Sequence, residues 1–433
     1  MAVVISPTPD PITSSSPFSI SKFIAKLKLR RSSKQKDQIQ DEISHDPRPP
    51  LIPSPLPLVL PEHQHTLCQL GWTTLTFPSS SSHPSHHSSP TSNREPEPEP
   101  EPEPGPHPLQ SAYLTLFLAA QQFFDLEDEK KQQWKHRLGT EEGWTKIRGE
   151  KEFITLRTLA YTPDILKEPA KRYWDLMGSH LCSTLGRISM SVGLPGEGEG
   201  DGLKGFVGPC NVMGEKEEDK TSTMLRIFRY ESWERKIVAE AHADLGLLSC
   251  VVGDVPGLEV WNGQQFVDIE RLYERERIRK GTNGVGGING DRAGFGGKAT
   301  LLSGRQLERF SNFRYPAGGH RVVSYGLPSP PSSKSLSAHT PVPNEAERKE
   351  KKYRHSIVFV LRAHEPTPVN SSTLETEITG KWAEPIRDVT AGELYERIRN
   401  QHFNVNIGHE EREAQRRRVR EAKANGKSVE GTG

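Results

Sequence analysis

The chain has 433 residues, 33% of them hydrophobic, with a formal net charge of +1. That length allows one large domain or two ordinary ones, and the near-zero charge points to neither nucleic acid nor a membrane surface as partner. No run approaches the 18 or so apolar residues of a membrane span, and Gly 37 with Pro 35 marks a normal core diluted by insertions.

The elements follow in chain order. Residues 1–60 are a Ser/Pro-rich leader, closing with "PRPPLIPSPLPLVLPE", and read as disordered or extended. Within it, residues 18–31 are basic and amphipathic, as in a mitochondrial targeting helix, but with Asp10 and several prolines ahead of them a tail with one transient helix fits better. Cys68, Cys182, Cys210 and Cys250 are scattered, with no CxxC, which suits a reducing, cytoplasmic setting. "LCQLGWTTLTF" (67–77) reads as a short strand. Residues 78–108, with a Ser/His run and Glu-Pro repeats, form a low-complexity insertion that buries nothing.

The pattern predicts a helix over 111–124, with Tyr113, Leu114, Phe117, Leu118 and Phe124 on one face. A second helix is expected within 166–193, starting near Pro169, with Tyr173, Leu176, Met177, His180, Leu181 and Leu185 inward. His180 there reads as a core histidine. From about 222 the period shortens. "TMLRIFRYE", "GLLSCVVG", "KATLLSG", "GHRVVSYG" and "YRHSIVFVLRAH" read as strands. "LEVW-NG-QQFVDI" reads as a hairpin with a type I′ turn at Asn262-Gly263. Residues 270–298 and 327–352 are surface insertions by composition. Residues 389–403 are helical, and 406–433 form a basic helical tail whose charge suits a solvated helix end.

Phosphate-binding loops are excluded. "GTNGVGGINGDRAGFGGK" follows a charged segment rather than a strand, and "GKS" at 426–428 has no glycine at Glu421. There is no GxSxG and no HExxH.

"AHADLG" contains His242-Ala-Asp244. In an extended segment, residues two apart point the same way. One imidazole and one carboxylate then share a target. His320, where the loop "RYPAGG" enters a strand, supplies a second imidazole and completes a facial triad with open positions. Arg354 and Ser356 are also two apart on a strand. A guanidinium beside a hydroxyl receives a carboxylate well. His355 points the other way, and His364 lies past the strand end. Trp261 and Phe266 flank the hairpin turn as packing residues.

The order His-x-Asp, His, Arg-x-Ser on successive β segments resembles the 2-oxoglutarate- and Fe(II)-dependent dioxygenase superfamily, in its isopenicillin N synthase-like branch. "MLRIFRYE…AHADLGLLSCVVGDVPGLEVWNGQQFVDI" is similar to that branch's central segment. "LLSGRQLERFSNFRYPAGGHRVV" resembles the approach to its distal histidine. The resemblance covers about 67–405 apart from the insertions.

It implies a mainly β fold with helices: a double-stranded β-helix, or jelly roll, flanked by N-terminal and C-terminal helices. Residues 61–215 would be the N-terminal helical and strand region, and 216–405 the catalytic β domain. His242, Asp244 and His320 would hold Fe(II). Arg354, Ser356 and Tyr230 would bind 2-oxoglutarate, with O2 as co-substrate and succinate and CO2 as products. A monomer acting on a small molecule is expected. Phe228 stands where many members carry a polar asparagine, and Ser303-Gly304-Arg305 where Gly-Asp is common. Two alternatives stay open: a same-fold Fe(II) oxidase that does not use 2-oxoglutarate, and a non-catalytic binding or scaffold homologue.

Overall fold

A seven-stranded and a four-stranded antiparallel sheet carry the architecture. The structure, a computed structural model, describes residues 46–78, 106–137, 140–196, 202–231, 235–272, 298–326 and 353–424. All of these lie in the unit Ser44–Gly433. The leader segment 18–31 and most of the insertions expected at 78–108, 270–298 and 327–352 fall outside the described residues.

The strands are β1 (Trp72–Thr76), β2 (Gly143–Ile147), β3 (Lys151–Leu156), β4 (Met224–Glu231), β5 (Arg235–His242), β6 (Leu248–Gly253), β7 (Leu258–Trp261), β8 (Phe266–Asp268), β9 (Lys298–Ser303), β10 (His320–Tyr325) and β11 (Tyr353–Leu361). The large sheet runs β1-β9-β6-β11-β4-β3-β2, and the small one β5-β10-β7-β8. From β4 to β7 the chain switches sheet at every strand. It stays in the small sheet for the hairpin β7–β8, then alternates again to β11. That weave between two antiparallel sheets is a jelly roll, and β1, β2 and β3 extend its large sheet.

Among the described residues the main helices are α1 (Gln64–Leu70), α2 (Pro108–Phe124), α3 (Asp164–Ser191), α4 (Arg305–Phe310), α5 (Ala391–Asn400) and α6 (His409–Ala424). α2 and α3 pack on each other and on β11. Successive side chains of β11 face opposite ways. Phe359 meets the Trp174 ring at 5.2 Å and the Tyr173 ring at 6.4 Å, on the helical side. Each such buried aromatic contributes on the order of 2–3 kcal/mol. Arg354 and Ser356 project from the other face, toward the space between the sheets.

Several expectations need correction. The first half of 67–77 is helix, not strand. α1 ends at Gly71, whose φ of +77° suits a glycine cap. Its missing side chain also leaves room for the backbone of Pro316 and Gly318. α2 begins earlier than expected, at Pro108, where the His107 ring accepts from the Leu109 N–H. Its buried face is Tyr113, Leu116, Phe117, Ala120 and Phe124, while Leu114 and Leu118 are exposed. α3 begins before Pro169 and contains it. The hairpin is wider than expected. Trp261 pairs with Phe266, so four residues close it. Asn262 Oδ1 accepts from the N–H groups of Gln264 and Gln265, an Asx turn instead of type I′. Among the described residues no helix is long and apolar enough to cross a membrane.

Candidate metal centre

His242 closes β5 and His320 opens β10, and the two are direct partners in the antiparallel pair. Their rings stand 4.3 Å apart, centre to centre. The register shifts just beyond His320. Such bulges re-aim side chains at strand ends. Asp244 follows where the chain leaves β5, with Oδ1 4.0 Å from His242 Nε2. One ligand atom from each of the three lies within 4.8 Å of the others.

The loop holding Asp244 is pinned from two sides. Leu247 N–H donates to the Leu361 carbonyl at 2.8 Å, and Arg305 N–H to the Asp244 carbonyl at 2.8 Å. A Cβ at Gly304 would collide with the Gly246 carbonyl. The Ser303-Gly304-Arg305 turn thus has a positioning task in this chain.

Both imidazoles are oriented by backbone. His242 Nδ1 lies 2.6 Å from the Glu240 carbonyl, and His320 Nδ1 3.0 Å from the Gly318 carbonyl. A carbonyl only accepts, so each Nδ1 carries the proton and each Nε2 keeps its lone pair for a metal. Burial, with His320 beside it, pushes His242 down to about 3, so it is a neutral donor at neutral pH. Burial opposes ionisation of Asp244, but the two histidines outweigh it and hold the carboxyl below its ordinary value. Asp244 Oδ2 is buried without a hydrogen-bond partner. A buried anionic oxygen with no donor is costly, and a cation removes the cost. Two imidazoles and a carboxylate suit a divalent transition metal.

A second polar group lies between the sheets. Arg354 is the cross-strand partner of Tyr230, and Ser356 of Phe228. The Arg354 guanidinium stands 5.6 Å from the Tyr230 ring centre, and Phe228 stacks on Tyr230 at 5.2 Å. Burial pushes the Tyr230 phenol up to about 12, against the pull of Arg354 and Ser356. The structure therefore brings Arg354, Ser356 and Tyr230 together, with the Phe228 ring beside them.

One residue of this group had no signal in the sequence. Arg354 Nη2 donates to both oxygens of Glu270, at 3.1 Å each. Glu270 Oε2 also accepts from the N–H groups of Gly257 and Leu258, at 2.7 and 2.8 Å. Glu270 was expected in a surface insertion, yet it is 4% exposed. Arg354 Nε donates to the Val255 carbonyl at 2.9 Å. Its Nη1 is buried and has no hydrogen-bond partner.

Among the described residues, the other histidines do not join the centre. Burial holds His180 at about 4, inside the helical layer. His355 faces that layer, bonded to Asp254 at 2.9 Å. His364 packs near Gly208. Trp261 and Phe266 meet edge to face at 5.2 Å. The basic tail is not solvated throughout. Arg412 is 3% exposed and pairs with Glu150 and Glu240, while Arg416 pairs with Glu240. α6 thus docks on the strand that ends at His242.

No protein-family model and no curated protein matches the chain. Solved structures do resemble it. A full-length Neurospora crassa protein in complex with alpha-KG is 16% identical, over 77% of this chain and 87% of that one, with a TM-score of 0.46. A 2OG-Fe(II) oxygenase family protein from Caulobacter crescentus is 18% identical, over 79% and 93%, with a TM-score of 0.48. A dioxygenase for auxin oxidation from rice is 16% identical, over 77% and 87%, with a TM-score of 0.45. Within this chain, the jelly-roll strand order and the meeting of His242, Asp244 and His320 are what the function is read from.

Proposed function

We propose that the protein is an Fe(II)- and 2-oxoglutarate-dependent oxygenase that hydroxylates or otherwise oxidises a small organic molecule. The observation that carries this is the triad: His242 and His320 with free Nε2 atoms, and Asp244 with an unpartnered buried oxygen. His242, Asp244 and His320 would hold the metal on one side and leave its other positions open. When bound there, Fe(II) with O2 and 2-oxoglutarate supplies a two-electron oxidation of a substrate C–H bond, with succinate and CO2 as co-products.

The chain's own residues supply position and dryness. The carbonyls of Glu240 and Gly318 fix the imidazole tautomers. Arg354 Nη1, Ser356 and Tyr230 would receive the far carboxylate of the oxo acid. The orphaned buried Nη1 fits that task. Phe228 and the Tyr230 ring keep water from this end of the site.

The Arg354–Glu270 pair favours a second reading, the same-fold Fe(II) oxidase without 2-oxoglutarate, because a carboxylate already rests on the guanidinium. The test is the oxo acid's fate. Protein with Fe(II), ascorbate, 2-oxoglutarate and air is assayed for succinate, alone and with candidate substrates. Succinate from wild type and not from Asp244→Ala supports the first reading. Substrate oxidation without succinate supports the second.

A further inference from the structure

Glu270 and Arg354 form a built pair rather than a chance contact. Both side chains are almost fully enclosed, at 5% and 1% exposure. Glu270 accepts from two backbone N–H groups besides the guanidinium. The backbone beside the pair carries glycine where a side chain would crowd it. A Cβ at Gly253 would stand 2.5 Å from Arg354 Nη2 and 2.6 Å from Glu270 Oε1. A Cβ at Gly257 would stand 2.5 Å from Arg354 Nε. Real Cβ atoms do not come that close.

The consequence is electrostatic. A lone buried guanidinium attracts a carboxylate strongly because the surroundings screen little. Here the charge is already matched. Two of the three guanidinium nitrogens are committed, Nε to Val255 and Nη2 to Glu270. Only Nη1 is left to read an incoming group. A second carboxylate brought to Nη1 would also feel the first. The neighbouring Phe228 and Phe153 rings, 5.3 Å apart, add no compensating donor.

We propose that Glu270 is a specificity-determining residue, a resident counter-anion on Arg354 that weakens the site's hold on the distal carboxylate of a 2-oxo acid. This deepens the reading of the site as one that binds a 2-oxo acid on the triad metal, and it rests on that reading. The 2-oxo acid is then held chiefly by its oxo-acid end at the metal. Glu270 is a positioning residue: it acts through Arg354, not on the reacting atoms.

The experiment compares two oxo acids of equal length on protein loaded with Mn(II), by calorimetry. 2-Oxoglutarate carries the distal carboxylate, and 2-oxopentanoate lacks it. Wild type is expected to bind the two within about tenfold of each other, since a carboxylate on neutralised Arg354 gains little. In Glu270→Gln the amide oxygen still accepts from backbone and the charge is gone. That variant is expected to bind 2-oxoglutarate at least about tenfold more tightly, with 2-oxopentanoate unchanged. The wild-type ratio needs no variant, so the proposal stays testable if Glu270→Gln does not fold. A wild-type preference for 2-oxoglutarate beyond tenfold overturns it, as does a Glu270→Gln protein with an unchanged ratio. In both cases Mn(II) still binds, and the reading of the centre stands. Failure of Mn(II) to bind wild type would instead end that reading, and the inference with it.

Discussion

His242 and His320 are paired across two strands that lie 78 positions apart in sequence, with their rings 4.3 Å apart. The pairing of β5 with β10 thus places two imidazoles at one end of the jelly roll. Asp244 needs only the turn after β5 to join them. The centre is a direct product of strand register, and a one-residue slip would turn one ring away.

Metal binding should therefore stabilise the fold. A ligand at a hundred times its dissociation constant adds about 2.7 kcal/mol. Thermal unfolding with Mn(II) should move up in wild type and stay put in His320→Ala. A shift of equal size in the variant would place the metal elsewhere.

Gly304 is expected to be intolerant of a side chain. Its Cβ would meet the Gly246 carbonyl, and the Arg305 N–H bond to Asp244 lies next to it. Gly304→Ala should cost on the order of 1–3 kcal/mol from overpacking. It should also weaken Mn(II) binding by moving Asp244. Urea unfolding and a Mn(II) titration read the two effects separately.

Acid should destabilise the protein through His180. Burial holds that imidazole at about 4 in the fold, against about 6.5 unfolded. The folded value is depressed, so the unfolded chain binds the proton first. The contribution is intact above pH 6.5 and is lost as pH falls toward 4. Its size is roughly 3 kcal/mol. His180→Gln should flatten this part of the stability–pH curve, measured by urea midpoints between pH 7 and 4. A curve as steep as wild type would contradict the account.

The docking of α6 gives a fourth expectation. Arg412 is buried against Glu150 and Glu240, and Lys151 Nζ donates to the Val405 carbonyl at 3.0 Å. Arg412→Ala takes the guanidinium from half-buried Glu150 while Glu240 keeps Arg416, a loss on the order of 1–3 kcal/mol. Proteolysis between 401 and 410 should accelerate in that variant and not in Arg418→Ala, a substitution at an exposed position of the same helix.

The triad was legible because its chemistry is written in short spacing. His242 and Asp244 share a face by being two apart, as do Arg354 and Ser356. The β segments that present His320 and Arg354 are strongly apolar. β5 itself was harder to see, since Arg235 and Lys236 and the exposed Ile237 blur the alternation. Glu270 was out of reach. An acid at the head of a charged run looks like surface, and only the approach of Arg354 from a strand 84 positions on makes it interior. The α6 arginines misled for the same reason: a basic helix shows its charge in sequence, and its acidic partners on other elements do not.

The most direct test of the central claim is anaerobic addition of Fe(II) and then 2-oxoglutarate, followed by visible absorption. A 2-oxo acid chelated to Fe(II) gives a charge-transfer band that neither component gives alone. The account predicts that band in wild type, saturating at one Fe(II) per chain, and its absence in Asp244→Ala. Wild-type protein that binds no Fe(II), or a band that survives loss of Asp244, would contradict it.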